Sequence, residues 1–238
     1  MLQNTVPDAR LDTRLDAGLD DPKVAATLKR LHARAKGDGW VLLRALPAIL
    51  FAAATGRGID EAVKPYLKGA YIPVGPDQGR LLYMTARAID ARLIVEFGTS
   101  FAISTIYLGA AARANDGRVI GTEMEPTKAR AARANVESAG LTPFVDIREG
   151  DAMKTLATLD GPIDFLLLDG WKDIYLPMIK MLAPRMRPGT VVLADNIFTY
   201  RKALRPYVDY MQDRANGFDS VTLPIGFGHG MEYSVRRK

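Results

Sequence analysis

The chain contains no cysteine. That excludes disulfides, thiolate metal sites and cysteine nucleophiles, and it fits a cytoplasmic setting. It has only two histidines. His32 falls in a helical stretch and reads as structural or exposed. His229 sits in a glycine-rich loop and reads as a loop histidine, although it could face a site. No apolar run is long enough to span a bilayer: the most apolar, Val41 to Thr55, contains Arg44 and Pro47. The first residues, Met-Leu-Gln-Asn-Thr-Val-Pro-Asp, lack a basic segment followed by an apolar core, so no signal peptide is expected. There is no internal repeat and no low-complexity tract. The net charge is +5, but Lys and Arg are scattered among acids with no basic stripe, which argues against a nucleic-acid partner. The dinucleotide fingerprint GxGxxG is also missing: after Gly98, position 100 is Ser and position 102 is Ala.

What remains is 238 residues, 48% hydrophobic and 25% charged, enough for one α/β domain with a large core. Two short runs rich in Leu, Ile and Val, 163–168 and 191–194, suit strands buried on both faces. Each ends on a carboxylate: Asp169 closes the first, and Asp195 closes the second with Asn196 beside it. Ligands of open α/β sheets bind at the carboxyl ends of strands. If these strands are neighbours, Asp169, Asp195 and Asn196 converge as a hard, all-oxygen donor set that suits Mg²⁺. Lys172, three residues beyond Asp169, could reach the same place as a base. An Asp at a strand end is often only a cap or turn residue. The four residues together point to a metal site.

Upstream, residues 1–70 read as helical. Asp21-Pro22 can start a helix carrying Val24, Leu28 and Leu31, and apolar segments follow at 41–54 and 59–67. The 41–54 segment is either a dimer surface or an internal core helix. Residues 71–80 form a Pro/Gly loop, and a helix runs from about 77 to 90. The stretch 93–105 reads as a strand, a tight turn at Gly98 and a helix from about 102. Gly98 would let a ligand approach the backbone, and the helix start offers N–H groups to an anion. A second strand, 118–122, ends at Glu123, at about the spacing where an acid holds a ribose hydroxyl pair. A mononucleoside with a charged tail is therefore expected. The charges at 127–139 read as a solvated helix face. A third strand covers about 144–148, helices 172–185 and 202–214 follow, and the tail from 219 reads as two strands joined by a glycine loop. This makes about five βα units and a closing antiparallel hairpin.

These residues resemble class I S-adenosylmethionine-dependent O-methyltransferases, and within them the catechol O-methyltransferase group. The resemblance covers roughly 71–238. It is most specific in Leu168-Asp169-Gly170-Trp171-Lys172-Asp173, Tyr175-Leu176-Pro177 and Gly189-Thr190-Val191-Val192-Leu193-Ala194-Asp195-Asn196. Glu96-Phe97-Gly98-Thr99-Ser100 is similar to the first cofactor motif, and Thr122-Glu123-Met124 to the ribose and adenine segment. Tyr71-Ile72-Pro73-Val74-Gly75 is similar to the loop that closes over the cofactor. The resemblance implies a Rossmann-like three-layer sandwich with a mostly parallel seven-stranded sheet and a closing hairpin, preceded by N-terminal helices. In domain terms, 1–70 would be a helical extension serving as lid or dimer surface, and 71–238 the methyltransferase domain.

The resemblance also assigns roles. Asp169, Asp195 and Asn196 hold Mg²⁺, and Lys172 is the general base. S-adenosylmethionine is bound by Val74, Glu96, Gly98, Thr99, Ser104, Glu123, Met124, Asp151, Ala152, Asp169 and Trp171. The acceptor meets Trp171, Lys172, Asn196 and Asp209, the last looking like the acid that holds a second substrate hydroxyl. Three departures stand out. Ala102 replaces a glycine of the cofactor turn. Gly170 stands where mammalian catechol enzymes have His, which could enlarge the pocket. Ala152 and Met153 are less polar than their counterparts, which would leave adenine contacts to backbone N–H groups.

The expected function is Mg²⁺-dependent methyl transfer from S-adenosylmethionine to a hydroxyl of a catechol-type or phenolic small molecule. The alternatives are a metal-independent methyltransferase acting on another small molecule, or a nucleic-acid methyltransferase. An NAD-dependent oxidoreductase would want the missing glycines. A non-catalytic interaction protein would have little reason to keep Asp169, Lys172, Asp195 and Asn196 together. No membrane partner is expected, and a homodimer through the N-terminal helices is one reading of the 41–54 segment.

Overall fold

Two strands set the architecture. All five residues of β1 (Leu93–Phe97) and all six of β4 (Ile163–Leu168) are buried, including the polar Glu96 and Asp164. Strands covered on both faces belong between two helix layers. The structure is a computed structural model that describes residues 18–37, 39–55, 74–225 and 229–238. The expected apolar segment 59–67, Tyr71 to Pro73 of the expected cofactor loop, and glycine-loop residues 226–228 lie outside the described residues.

The remaining strands are β2 (Arg118–Glu123), β3 (Val145–Glu149), β5 (Met186–Asp195), β6 (Phe218–Leu223) and β7 (Met231–Arg236). The seven form one sheet in the order β3-β2-β1-β4-β5-β7-β6. The first five run parallel, and β7 is antiparallel to both β5 and β6. From β1 the chain steps outward through β2 to β3, then crosses back to place β4 on the other side of β1. The reversal opens a crevice between the carboxyl ends of β1 and β4, the usual ligand position in such sheets.

The helices are α1 (Pro22–Gly37), α2 (Gly39–Thr55), α3 (Pro76–Ala88), α4 (Ile103–Ala114), α5 (Pro126–Ser138), α6 (Ala152–Thr155), α7 (Tyr175–Leu182) and α8 (Arg201–Gln212). Side chains alternate across the sheet. Val95, Phe97, Leu166 and Leu168 pack with Tyr175, Met178 and Ile179 of α7 and with Leu204 and Tyr207 of α8. Ile94, Phe165, Leu167 and Leu193 pack on the other face, with Leu82 and Ala86 of α3 and Leu108 and Ala112 of α4. The result is the expected three-layer, Rossmann-like sandwich.

The helix expected over 172–185 is divided in three: a 3₁₀ turn at Lys172–Ile174, α7, and a second 3₁₀ turn at Ala183–Arg185. β5 starts at Met186, five residues before the apolar run expected to form it.

Helix α1 starts as its sequence predicts. Asp21 Oδ1 accepts hydrogen bonds from the N–H groups of Lys23 (2.9 Å) and Val24 (3.2 Å), and its other oxygen pairs with Arg113 at 3.3 Å. Burial works to raise the Asp21 pKa, but these bonds and the arginine hold it below the ordinary value. Val24, Leu28 and Leu31 are buried with Ile106 and Tyr107 of α4 and Val136 of α5, so α1 shares the core of the sheet domain. On α2, Leu46, Leu50 and Phe51 are about half exposed. Among the described residues no helix is long and apolar enough to cross a membrane.

Leu31→Ala should therefore cost about 2–5 kcal/mol, as for fully buried leucines, whereas Met84→Ala, at a residue 62% exposed, should stay within about 0.5 kcal/mol. Urea denaturation reads both. Equal losses would contradict the packing of α1 described above.

Candidate active site

The parallel register of β4 and β5 pairs Leu168 with Ala194, so the next residues, Asp169 and Asp195, sit side by side at the rim. Asp195 is 4% exposed. Its Oδ1 accepts a hydrogen bond from Gln78 Nε2 at 3.1 Å and its Oδ2 one from Asn196 Nδ2 at 3.2 Å. Lys172 Nζ lies 3.6 Å from Asp169 Oδ1 and donates to the Tyr175 hydroxyl at 2.8 Å. The same ammonium lies 5.0 Å from the centroid of the Tyr175 ring and 5.6 Å from that of Tyr200, distances that favour a cation over an aromatic face.

Tyr175 is fully buried, and its hydroxyl donates to Leu168 O at 2.8 Å. Burial, with Asp169 and Asp195 nearby, pushes its pKa well above the ordinary phenol value. It therefore stays protonated, donating to Leu168 and accepting from Lys172. Lys172 is held in place by a neutral group.

Asp169 and Asp195 resist ionisation. Burial pushes the Asp169 carboxyl up to about 8, with Lys172 opposing and Asp195 and Glu96 reinforcing the shift. Burial also raises Asp195, against the Asn196 backbone N–H, Lys172, His229 and Gln78. Among the described residues no cluster of three His, Cys, Asp or Glu could hold a metal. The set is two carboxylates and an amide. These carboxylates lie in a mostly buried cleft against their own electrostatics, and a divalent cation would relieve that opposition. An all-oxygen donor set of this kind fits Mg²⁺.

The residues expected to meet the nucleoside lie at the tips of β1 and β2. Glu96 is fully buried, and its Oε2 takes hydrogen bonds from the Thr99 and Thr105 side chains. Burial raises its pKa despite these bonds. Among the described residues, Glu96 Oε1 has no hydrogen-bond partner. A buried carboxylate oxygen left over in this way is a fit for an ammonium group such as that of a methionine moiety. Glu123, at the end of β2, accepts from the N–H of Ser100 (2.8 Å) and of Glu125 (2.9 Å). Each carboxylate oxygen keeps a lone pair for a ribose hydroxyl. Val74 is buried, while Met124 and Trp171 are half exposed. Asp151 caps α6 by accepting from Met153 N–H at 2.9 Å, and Ala152 is buried. That N–H is already occupied, so it is a poor candidate for the backbone contact expected at Met153.

Some expectations need correcting. Asp209 does not join the others: it is exposed on α8 and pairs with Arg205 at 3.5 Å. The buried face of α8 is Leu204, Tyr207 and Met211, and a residue two places beyond Tyr207 lies about 200° around the helix from it. Gly170 does not enlarge the pocket, because the Phe97 ring occupies the place a side chain there would take. The backbone that approaches Gly98, at φ +98°, is the chain's own. A Cβ there would lie 2.6 Å from Asp169 O, so this glycine lets the tips of β1 and β4 close on each other.

Gln78 is a site residue that sequence reasoning misses. The available signal was a Gln three residues after Gly75, the second half of a helix capping box. Tyr175 was visible only as part of the motif after Lys172, without a role.

The chain matches a family model described as a methyltransferase domain over residues 95–197. It is 37% identical over 137 residues to a catechol O-methyltransferase of Niastella koreensis, covering 56% of this chain and 62% of that one. It is 32% identical over 164 residues to the Mycobacterium tuberculosis protein named "Probable O-methyltransferase Rv1703c", covering 62% and 70%. The crystal structure of the O-methyltransferase from Bacillus cereus in complex with SAH is 26% identical, with a TM-score of 0.64 over 69% of this chain and 83% of that one. The catechol O-methyltransferase match thus spans less than two thirds of that relative's length. Sheet order and crevice place the protein in the class I methyltransferase fold. The chain belongs to the S-adenosylmethionine-dependent O-methyltransferase family.

The raised Asp169 value has a thermodynamic sign. Its folded-state pKa of about 8 exceeds the ordinary 3.8, so the folded protein holds a proton that the unfolded chain has lost. The resulting stability is full below about pH 4 and is lost as pH rises through about 8. In EDTA, the melting temperature of the wild type should fall relative to that of Asp169→Asn between pH 5 and 8.5. Parallel profiles would show that Asp169 is not held up in this way.

Proposed function

We propose that the protein transfers a methyl group from S-adenosylmethionine to a hydroxyl of a catechol-type small molecule, in a Mg²⁺-dependent reaction. The observation that carries the reading is the meeting of Asp169, Asp195, Asn196 and Lys172 at the tips of β4 and β5, next to the Glu96 and Glu123 tips. The relatives' names, catechol O-methyltransferase among them, point to the same acceptor class.

Asp169, Asp195 and Asn196 would hold Mg²⁺, which when bound supplies positive charge that lowers a hydroxyl pKa and leaves coordination positions for a bidentate diol. Glu123 takes the ribose hydroxyls, with Met124 and Trp171 against the adenine. Glu96, through Thr99, Ser104 and Thr105, shapes the polar floor beside the methionine end. Lys172 is an ammonium in this arrangement; like-charge repulsion from a bound Mg²⁺ would drive off its proton, and the neutral amine, held by Tyr175, would then take the acceptor's proton. The oxygen so freed would take the methyl group of S-adenosylmethionine, the sulfonium leaving as the thioether of S-adenosylhomocysteine. The protein's part in that step is orientation and proximity. Trp171 flanks the acceptor. A cytoplasmic setting belongs to the same proposal, as does a homodimer through the exposed Leu46, Leu50 and Phe51 face of α2. Sedimentation of Leu50→Glu tests the dimer: it should be monomeric where the wild type is dimeric, and a monomeric wild type would dismiss it.

A cofactor-turnover screen over catechols and monophenols, with Mg²⁺ and with EDTA, tests the main reading. Catechol turnover should vanish in EDTA and return with Mg²⁺; full activity in excess EDTA would remove the metal role. Lys172→Ala should lower kcat by roughly two to four decades while S-adenosylhomocysteine binding stays unchanged. Loss of that binding instead would reassign Lys172 to the cofactor.

A further inference from the structure

Gln78 joins two parts of the site that are far apart in sequence. It is the third residue of α3 and is 4% exposed. Its Oε1 accepts the N–H of Gly75 at 2.9 Å, and its Nε2 donates to Asp195 Oδ1 at 3.1 Å. The amide orientation is dictated by the Gly75 N–H, which only donates and so takes Oε1, leaving the Nε2 group to face Asp195 Oδ1. Of the common side chains, a carboxamide of this length is suited to both jobs at once. Its backbone is closely packed as well: at the next residue, Gly79, the Tyr107 ring leaves no room for a Cβ. The buried Val74 immediately precedes Gly75. One side chain thus ties the start of α3, beside the cofactor segment, to a carboxylate at the tip of β5.

We propose that Gln78 is a positioning residue for the divalent cation: by engaging Asp195 Oδ1 it turns the Asp195 carboxylate toward the rim it shares with Asp169. This rests on the metal reading under Proposed function. Outer-shell hydrogen bonds to ligating carboxylates orient them, and their loss typically lowers metal affinity 10- to 100-fold. A role confined to capping α3 has a different signature, lower thermal stability with metal affinity intact.

The test is a Mn²⁺ titration followed by electron paramagnetic resonance, on wild type, Gln78→Ala and Gln78→Met. Mn²⁺ suits the same oxygen donors. Met keeps much of the volume and the helix propensity while losing both hydrogen bonds, so it guards against an alanine variant that fails to fold. Variants are checked by circular dichroism. The expected result is Mn²⁺ affinity lowered roughly 10- to 100-fold, together with a matching rise in the Mg²⁺ concentration needed for half-maximal turnover and recovery of kcat at saturating Mg²⁺. Mn²⁺ affinity within twofold of wild type in a folded variant would overturn the proposal and leave the metal reading standing. A wild type that binds no Mn²⁺ would overturn both.

Discussion

Two buried carboxylates placed side by side constrain the rest of the site. Nothing local to either makes them neighbours. The parallel register of β4 and β5 does, by setting Leu168 opposite Ala194. Their shared burial makes ionisation unfavourable, and the surroundings are organised to offset it. Lys172 supplies a positive charge, the amides of Gln78 and Asn196 supply donors, and Tyr175 supplies a neutral hydroxyl that fixes the lysine. A pair of charges held apart from bulk water in this way is costly to keep for stability alone. It is reasonable in a protein that presents the pair to a cation.

The cofactor side is constrained through its backbone. Ser100, Ala102 and Asn196 all have positive φ, at 49°, 68° and 68°. For an alanine this costs roughly 1–2 kcal/mol. These three fall on the loops after β1 and after β5, at the carboxyl ends of the strands, while the other two non-glycine residues with positive φ among the described residues, Asp90 and Asp116, lie in turns that lead into β1 and β2 at the opposite end. Ala102 therefore keeps the left-handed turn that a glycine would make without strain. The turn delivers Thr99 and Thr105 onto Glu96 Oε2, and among the described residues the other, buried carboxylate oxygen is left over.

Most of this was legible in the sequence because its signal was local. Continuous apolar runs ending on Asp169 and Asp195 identified buried parallel strands and their tips. The Gly98 turn and the run ending at Glu123 identified the unit formed by β1, α4 and β2. Val24, Leu28 and Leu31 showed the buried face of α1 through their helical spacing. What was not legible depended on partners distant in the chain or on rotation about a helix. Gln78 carries no sequence signal for the site, because its partner Asp195 lies 117 positions away and only the fold brings the two together. Gly170 suggests a larger pocket until the Phe97 ring is seen in that space. Asp209 matches by its neighbours Tyr207 and Tyr210, yet it lies on the solvent side of α8. The 172–185 segment opens on a 3₁₀ turn at Lys172–Ile174 and closes on another at Ala183–Arg185, which holds Pro184, details that apolar periodicity does not carry.

The central claim is that the β4 and β5 tips hold one divalent ion between them. Anomalous diffraction from crystals grown with Mn²⁺ and S-adenosylhomocysteine tests it most directly. The account predicts a single strong peak within coordination distance, about 2.0–2.3 Å, of oxygens of Asp169, Asp195 and Asn196, with the Lys172 amine close by but not bound to it. A peak elsewhere, or none at those three side chains while the nucleoside occupies its crevice, would contradict it.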